Sequence, residues 1–209
     1  MSEYLQPTSF FDGEHPQVGV FTDAHVDADS LVDRAVQIYQ AVRDEFQYQP
    51  FDIRLKAEQL HSSQICNKGF GHCIDKASFL ISCCRHLGIP ARLGLARVRN
   101  HVGTERLEQI LGTNVLVPHG YVEMYLDDKW VKCTPAFDKG MCRKLGVEVL
   151  EFNGKDDSIF QPYDREGADF MEYLEDYGTF ADLPLDFIIE LMKKEYPQFF
   201  DGTGFIRLL

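Results

Sequence analysis

Positive charge is scarce in this sequence. Against 33 Asp and Glu stand 21 Lys and Arg, a formal net charge of −12. Such a chain builds no broad basic field, which argues against general nucleic-acid binding and against docking on anionic membranes; a small basic pocket stays possible. No apolar run reaches the length of a membrane span. The opening MSEYLQPTSFFDGEHP lacks the charged-then-apolar pattern of a signal peptide, so the expectation is a soluble cytoplasmic protein. There is no internal repeat, no low-complexity tract and no C-x-x-C pair. The six cysteines (Cys66, Cys73, Cys83, Cys84, Cys133 and Cys142) therefore read as free thiols rather than as a disulfide framework. Adjacent Cys83 and Cys84 cannot point the same way from one helix, and no structural zinc or other metal is expected. Hydrophobic residues make up 44% of the 209, with 16 Phe and 9 Tyr. That is enough for a real core, and the length suggests one domain over 1–209.

Periodicity predicts where the elements lie. Residues 1–28 read as irregular. A helix is expected over Ser30–Phe46, capped by Ser30, with Leu31, Ala35, Ile38 and Val42 on one face. A short helix fits Leu55–Leu60. A longer helix starts near Cys73, carries an apolar stripe of Ala77, Leu80, Ile81, Cys84 and Leu87, and stops at Gly88 before Pro90. Ala91–Val98 alternates as a strand does. After an insertion over 100–118, with a helical turn at Arg106–Leu111, His119–Leu126 and Trp130–Thr134 read as a hairpin. A strand at Val147–Phe152 and a final helix from Pro184 to about Glu195 complete the expectation. Helices first and antiparallel strands after make an α+β pattern, a helical layer packed on an antiparallel sheet.

Two segments carry chemistry. In Gly69-Phe70-Gly71-His72-Cys73-Ile74-Asp75-Lys76-Ala77 the glycines permit a tight turn just before a helix. Cys73 then sits at a helix N-terminus, where the dipole and free N–H groups favour a thiolate and could hold an oxyanion. In His119-Gly120-Tyr121-Val122-Glu123-Met124-Tyr125 a histidine opens a strand and is held rigidly. A cysteine and a histidine on separate elements, facing each other, form a nucleophile–base pair.

The tail of the first segment, Arg85-His86-Leu87-Gly88-Ile89-Pro90-Ala91-Arg92, extends it into a pattern that resembles the cysteine motif of the transglutaminase-like superfamily. His119–Pro135 resembles that family's histidine strand and the Trp-containing strand after it. The similarity covers about 30–138, leaving a C-terminal extension over about 146–209. It implies a transglutaminase-like, papain-like fold with Cys73 as nucleophile and His119 as base. The family usually places an acid four residues after the strand's Trp to orient the histidine; here that residue is Thr134. A threonine hydroxyl can accept a bond but supplies no charge for imidazolium. Asp138 is the nearest acidic substitute, and it is the expected orienting group. Strand register decides between them: a loop at Asp127-Asp128 sets Ala136 opposite His119 and Thr134 diagonal, while a loop at Asp128-Lys129 sets Asp138 opposite. By analogy with papain-like enzymes, Gln64 is a candidate oxyanion donor.

The resemblance implies acyl transfer through a thioester, with a peptide, protein or amide as substrate and no cofactor. Hydrolysis is the expected outcome. The alternatives are protein cross-linking, a non-catalytic transglutaminase-like binding domain, and metal binding through the cysteines. Among the neighbours, His72 is expected to be a solvated side chain, Asp75 and Lys76 ordinary first-turn residues, and Trp130 a core residue. Tyr163–Tyr177 is expected to pack over the sheet as part of the extension rather than act as a lid.

Overall fold

The computed structural model describes residues 1–102, 105–159, 165–201 and 204–205. Along the chain run α1 (Pro16–His25), α2 (Leu31–Glu45), β1 (Gln47–Tyr48), α3 (Gln64–Lys68), β2 (Phe70–Gly71) and α4 (Cys73–His86). Then come β3 (Ala91–Asn100), α5 (Glu105–Leu111), β4 (Val115–Leu126), β5 (Lys129–Cys133), α6 (Lys139–Leu145), β6 (Met171–Phe180) and α7 (Leu185–Glu195). An antiparallel sheet in the order β5-β4-β3-β6 carries the helical layer, an α+β arrangement of the expected kind.

α4 is the centre of the molecule. Its Ala77, Phe79, Leu80 and Ile81 have no exposed surface, and burying each large apolar side chain contributes roughly 1.5–3 kcal/mol relative to leaving it in water. The helix packs on β4 and β3 on one side and on α1 and α2 on the other. Arg85, near its end, donates to the carbonyls of Gln6, Ala91 and Ala181, joining both ends of the chain to the start of β3. Arg92 lies 3.9 Å from the Trp130 ring centre and ion-pairs with Glu123 at 2.6 Å. The two arginines of the tail motif thus serve the fold.

Several elements depart from expectation. Residues 16–25 form α1 instead of irregular chain: Pro16 is preorganised for a first turn and the His15 ring accepts from Gln17 N–H. Ser30 caps α2 as expected, but Leu31 points to solvent and Tyr39 joins the buried face in its place. In the 55–60 stretch only a 3-10 turn at Ala57–Gln59 forms. No strand forms at Val147–Phe152; Val147 and Phe152 are buried in extended chain without a ladder. The sheet edge is instead β6, within the segment read as an extension, and it pairs along β3. Of Tyr163–Tyr177, residues 163–164 lie outside the described residues; 171–177 are strand.

Candidate active site

Cys73 is the first residue of α4, and His72 is its N-cap. Nδ1 of His72 accepts from the N–H groups of Ile74 (3.1 Å) and Asp75 (3.2 Å), while Asp75 accepts from His72 N–H at 3.2 Å, closing a reciprocal capping box. Asp75 also pairs with Lys68 at 3.2 Å. His72 is buried, not solvated. The box uses the N–H groups of residues 72, 74 and 75, so of the free donors expected at the helix start Cys73's own N–H remains without an acceptor among the described residues.

Burial alone would raise the Cys73 pKa. The charge of His119 and a hydrogen bond from it reverse that, His72 adds to them, and the thiol falls to about 5. The other five thiols move the opposite way because burial dominates: Cys66 rises to about 11, and Cys83, Cys84, Cys133 and Cys142 are raised as well. All six are free. For His72, burial opposes a charge, while Asp75 and the Cys73 sulfur favour one enough to lift its pKa to about 9. Cap geometry opposes them. A protonated Nδ1 cannot accept, so charging that nitrogen forfeits both cap bonds, and His72 stays neutral while the cap is formed.

His119 lies within β4 rather than at its start, backbone-paired with Ala96 of β3. The following residue explains how helix and strand come so close. A Cβ on Gly120 would stand 2.8 Å from Ile74 Cγ1 and 3.1 Å from its Cα, so only glycine there lets the first turn of α4 lie against β4. That approach lets the His119 imidazole act on the Cys73 thiol.

The two candidate orienting groups, Thr134 and Asp138, are placed differently. Leu126 pairs with Lys129 across a two-residue loop, Asp127-Asp128, both in the left-handed region at φ 46° and 63°, as a tight hairpin demands. The ladder runs to Val122–Cys133. Carried three residues further it sets Ala136, not Asp138, opposite His119, with Thr134 diagonal. Asp138 is engaged elsewhere, as the cap of α6, accepting from Met141 N–H at 2.9 Å and from Tyr48 N–H at 2.8 Å. Among the described residues no carboxylate is paired with either ring nitrogen of His119. Thr134 Oγ1 and His119 Nδ1 are both buried without a hydrogen-bond partner among the described residues, and both residues line one small cavity with Ala136, Phe137, Leu150, Ile159 and Met171. It has room for about one water molecule.

A narrow apolar slot of about 70 Å³ opens beside Cys73, and a broad groove of about 730 Å³ lies across the wall of Tyr48, Pro50, Phe51 and Leu116. Gln64 starts α3 and is not among the residues lining either. Tyr48, unmarked in the sequence, stands between the two. Its ring is braced edge-on by Phe137 at 4.8 Å, and its hydroxyl is held protonated by burial and by the nearby Cys73 charge. Lys76 is no ordinary first-turn residue: it is wholly buried, and its Nζ donates to the carbonyls of Arg43, Phe46 and Ala136. Burial drops its pKa to about 7, against the pull of Asp138. No cluster of metal-ligating side chains occurs among the described residues, and no helix among them is long and apolar enough to cross a membrane.

No curated protein matches the sequence significantly. Among solved structures the chain resembles one described as "a Putative Cysteine Protease from Cytophaga hutchinsonii", at 14% identity and a TM-score of 0.49. The match covers 85% of this chain and 53% of that one, so the chain spans about half the length of this relative. The model of the transglutaminase-like superfamily matches residues 22–135, more than half the chain, a span holding both the α4 cysteine and the β4 histidine; the protein belongs to the transglutaminase-like superfamily.

Proposed function

We propose that the protein is a thiol-dependent acyl-transfer enzyme that hydrolyses an amide or peptide bond, with Cys73 as nucleophile and His119 as its base and acid. The observation that carries this reading is the divergence of the thiols: one is made acidic by an imidazole at a helix N-terminus, while burial makes five inert. Cys73 Sγ would attack the carbonyl carbon, and the Cys73 N–H would receive the developing oxyanion. Collapse breaks the C–N bond, with its electron pair going to nitrogen and the imidazolium of His119 supplying the proton. Water, deprotonated by His119, then opens the thioester. Thr134, joined to His119 by a water in their shared cavity, would orient the ring without adding charge. Water is taken as the acceptor, which gives hydrolysis rather than cross-linking. Free thiols fit a reducing, cytoplasmic setting. The C-terminal segment belongs to the same domain on this reading, since it walls the slot.

The test has two parts. Limiting iodoacetamide at pH 6, followed by peptide mapping, should label Cys73 ahead of the other cysteines. Incubation with a library of glutamine-containing peptides, with and without a primary amine, should give cleaved or deamidated products. Amine-linked products alone would make it a cross-linker. No turnover with a reactive Cys73 would make it a binding domain.

A further inference from the structure

The slot beside Cys73 has a character that the family match does not supply. Its far wall is Leu183, Leu185, Ile188, Met192 and Tyr196, all beyond the matched residues 22–135. Apolar side chains from the other side complete it, among them Phe51, Ile53 and Val117. The Tyr196 hydroxyl turns away, donating to Val115 O at 2.7 Å and accepting from Val117 N–H at 2.8 Å, so only its ring faces inward. Arg54 is the one permanently charged residue in the described lining, and it is paired with Asp52 at 3.1 Å. A carboxylate entering here would leave water and find no free cation among the described lining residues, at substantial cost. Volume is the second constraint. An apolar cavity of about 150 Å³ takes up benzene; the slot, at about 70 Å³, is half that and holds only a few carbons.

The groove on the other side of Tyr48 differs in kind. It is wide, and Asn100, His101, Glu105, Arg106 and Lys144 line it with polar groups.

Resting on the thiol-enzyme reading above, we propose that the acyl group accepted by Cys73 is a short, uncharged aliphatic chain seated in this slot. The acyl chain sets specificity. The matching step with a thioester donor is balanced. Cys73 thiolate attacks the carbonyl carbon, the donor's C–S bond breaks, and its electron pair leaves on the donor sulfur as thiolate.

The test uses the intact protein and small thioesters of one leaving thiol, with acylation of Cys73 followed by intact-protein mass spectrometry. The donors are acetyl, n-pentanoyl, glutaryl (a chain of the same length ending in a carboxylate) and phenylacetyl. Pentanoyl should acylate Cys73 at least tenfold faster than each of the others. Equal rates, or a faster glutaryl or phenylacetyl donor, would overturn the proposal while leaving Cys73 an active nucleophile. Absence of acylation by any donor would also overturn it. Iodoacetamide then separates the causes: a labelled Cys73 loses only the substrate assignment, whereas an unlabelled one removes the thiol-enzyme reading too. Ile188→Phe, which fills part of the slot, should bring the pentanoyl-to-acetyl ratio toward unity; an unchanged ratio in the folded variant counts against the slot.

Discussion

The two sides of the candidate site are finished to different standards. On the helix side the capping groups beside Cys73 are tied to one another: His72 caps Ile74 and Asp75, Asp75 returns the bond, and Lys68 neutralises Asp75. On the sheet side, among the described residues, His119 lacks a carboxylate and Thr134 Oγ1 faces the same small cavity with nothing bonded to it. The difference separates two requirements. Making a thiolate needs a fixed helix start and a nearby imidazole, and both are present. Holding the imidazole in one orientation through a catalytic cycle needs a third group, and there a neutral hydroxyl stands where an acid is usual. The contrast predicts a reactive thiol joined to modest turnover.

The largest effect should come from removing the one interaction that joins the two sides. His119→Asn should return Cys73 toward the ordinary thiol pKa of about 8.5, and its alkylation rate at pH 6 should fall by roughly a hundredfold or more. A fall of only a few-fold would mean that the helix start alone makes the thiolate. Next comes the sheet side. Thr134→Asp supplies the missing charge, and turnover of an amide substrate should rise by about tenfold, with little change in thiol reactivity at pH 7. Unchanged turnover would show that the hydroxyl already suffices.

The pH profile sharpens the same comparison. The Cys73 pKa is lowered on folding to about 5, so the thiolate is the dominant form above that value and is lost as pH falls through it. Alkylation of the native protein should rise around pH 5 and stay level from 6 to 8, with the other five cysteines silent across that range. Gly120→Ala tests the contact between the sides: its methyl meets Ile74, and overpacking should cost about 1–3 kcal/mol in thermal or denaturant unfolding. Slower alkylation of Cys73 should accompany that loss. The smallest effect belongs to Asp138. Asp138→Asn keeps a competent helix cap and should leave the pH profile of Cys73 in place; a profile shifted by that substitution would restore Asp138 as the orienting acid.

What the sequence made legible is what depends on short range. Ser30 with Asp33 and the α4 stripe ending at Gly88 carry local signals, and each lies where the pattern put it. The family motif brought Cys73 and His119 to notice for the same reason. β6 was not legible because its Met171–Phe180 run is acidic and half-exposed, as an edge strand facing solvent is. α1 was hidden by a histidine in the cap position, a residue outside the usual capping set. His72 escaped notice on the same grounds. The place of Asp138 was not legible because two loop placements fit the sequence equally, and backbone dihedrals at Asp127 and Asp128 distinguish them. Lys76 could not be read at all: three carbonyls from distant parts of the chain meet at its ammonium, and only the tertiary structure gathers them.

That gathering ties the motions of the site together. Lys76 Nζ joins the first turn of α4 to the end of α2 and to the chain just past β5. Freeing any one of these segments strands a buried cation, so none can open by itself at low cost. In hydrogen exchange the amides around Phe46, Cys73 and Ala136 should behave as one cooperative unit with a shared opening free energy. Breathing of the site is then tied to partial unfolding of the whole helix–sheet seam, and substrate must enter a site that does not loosen piecemeal to admit it.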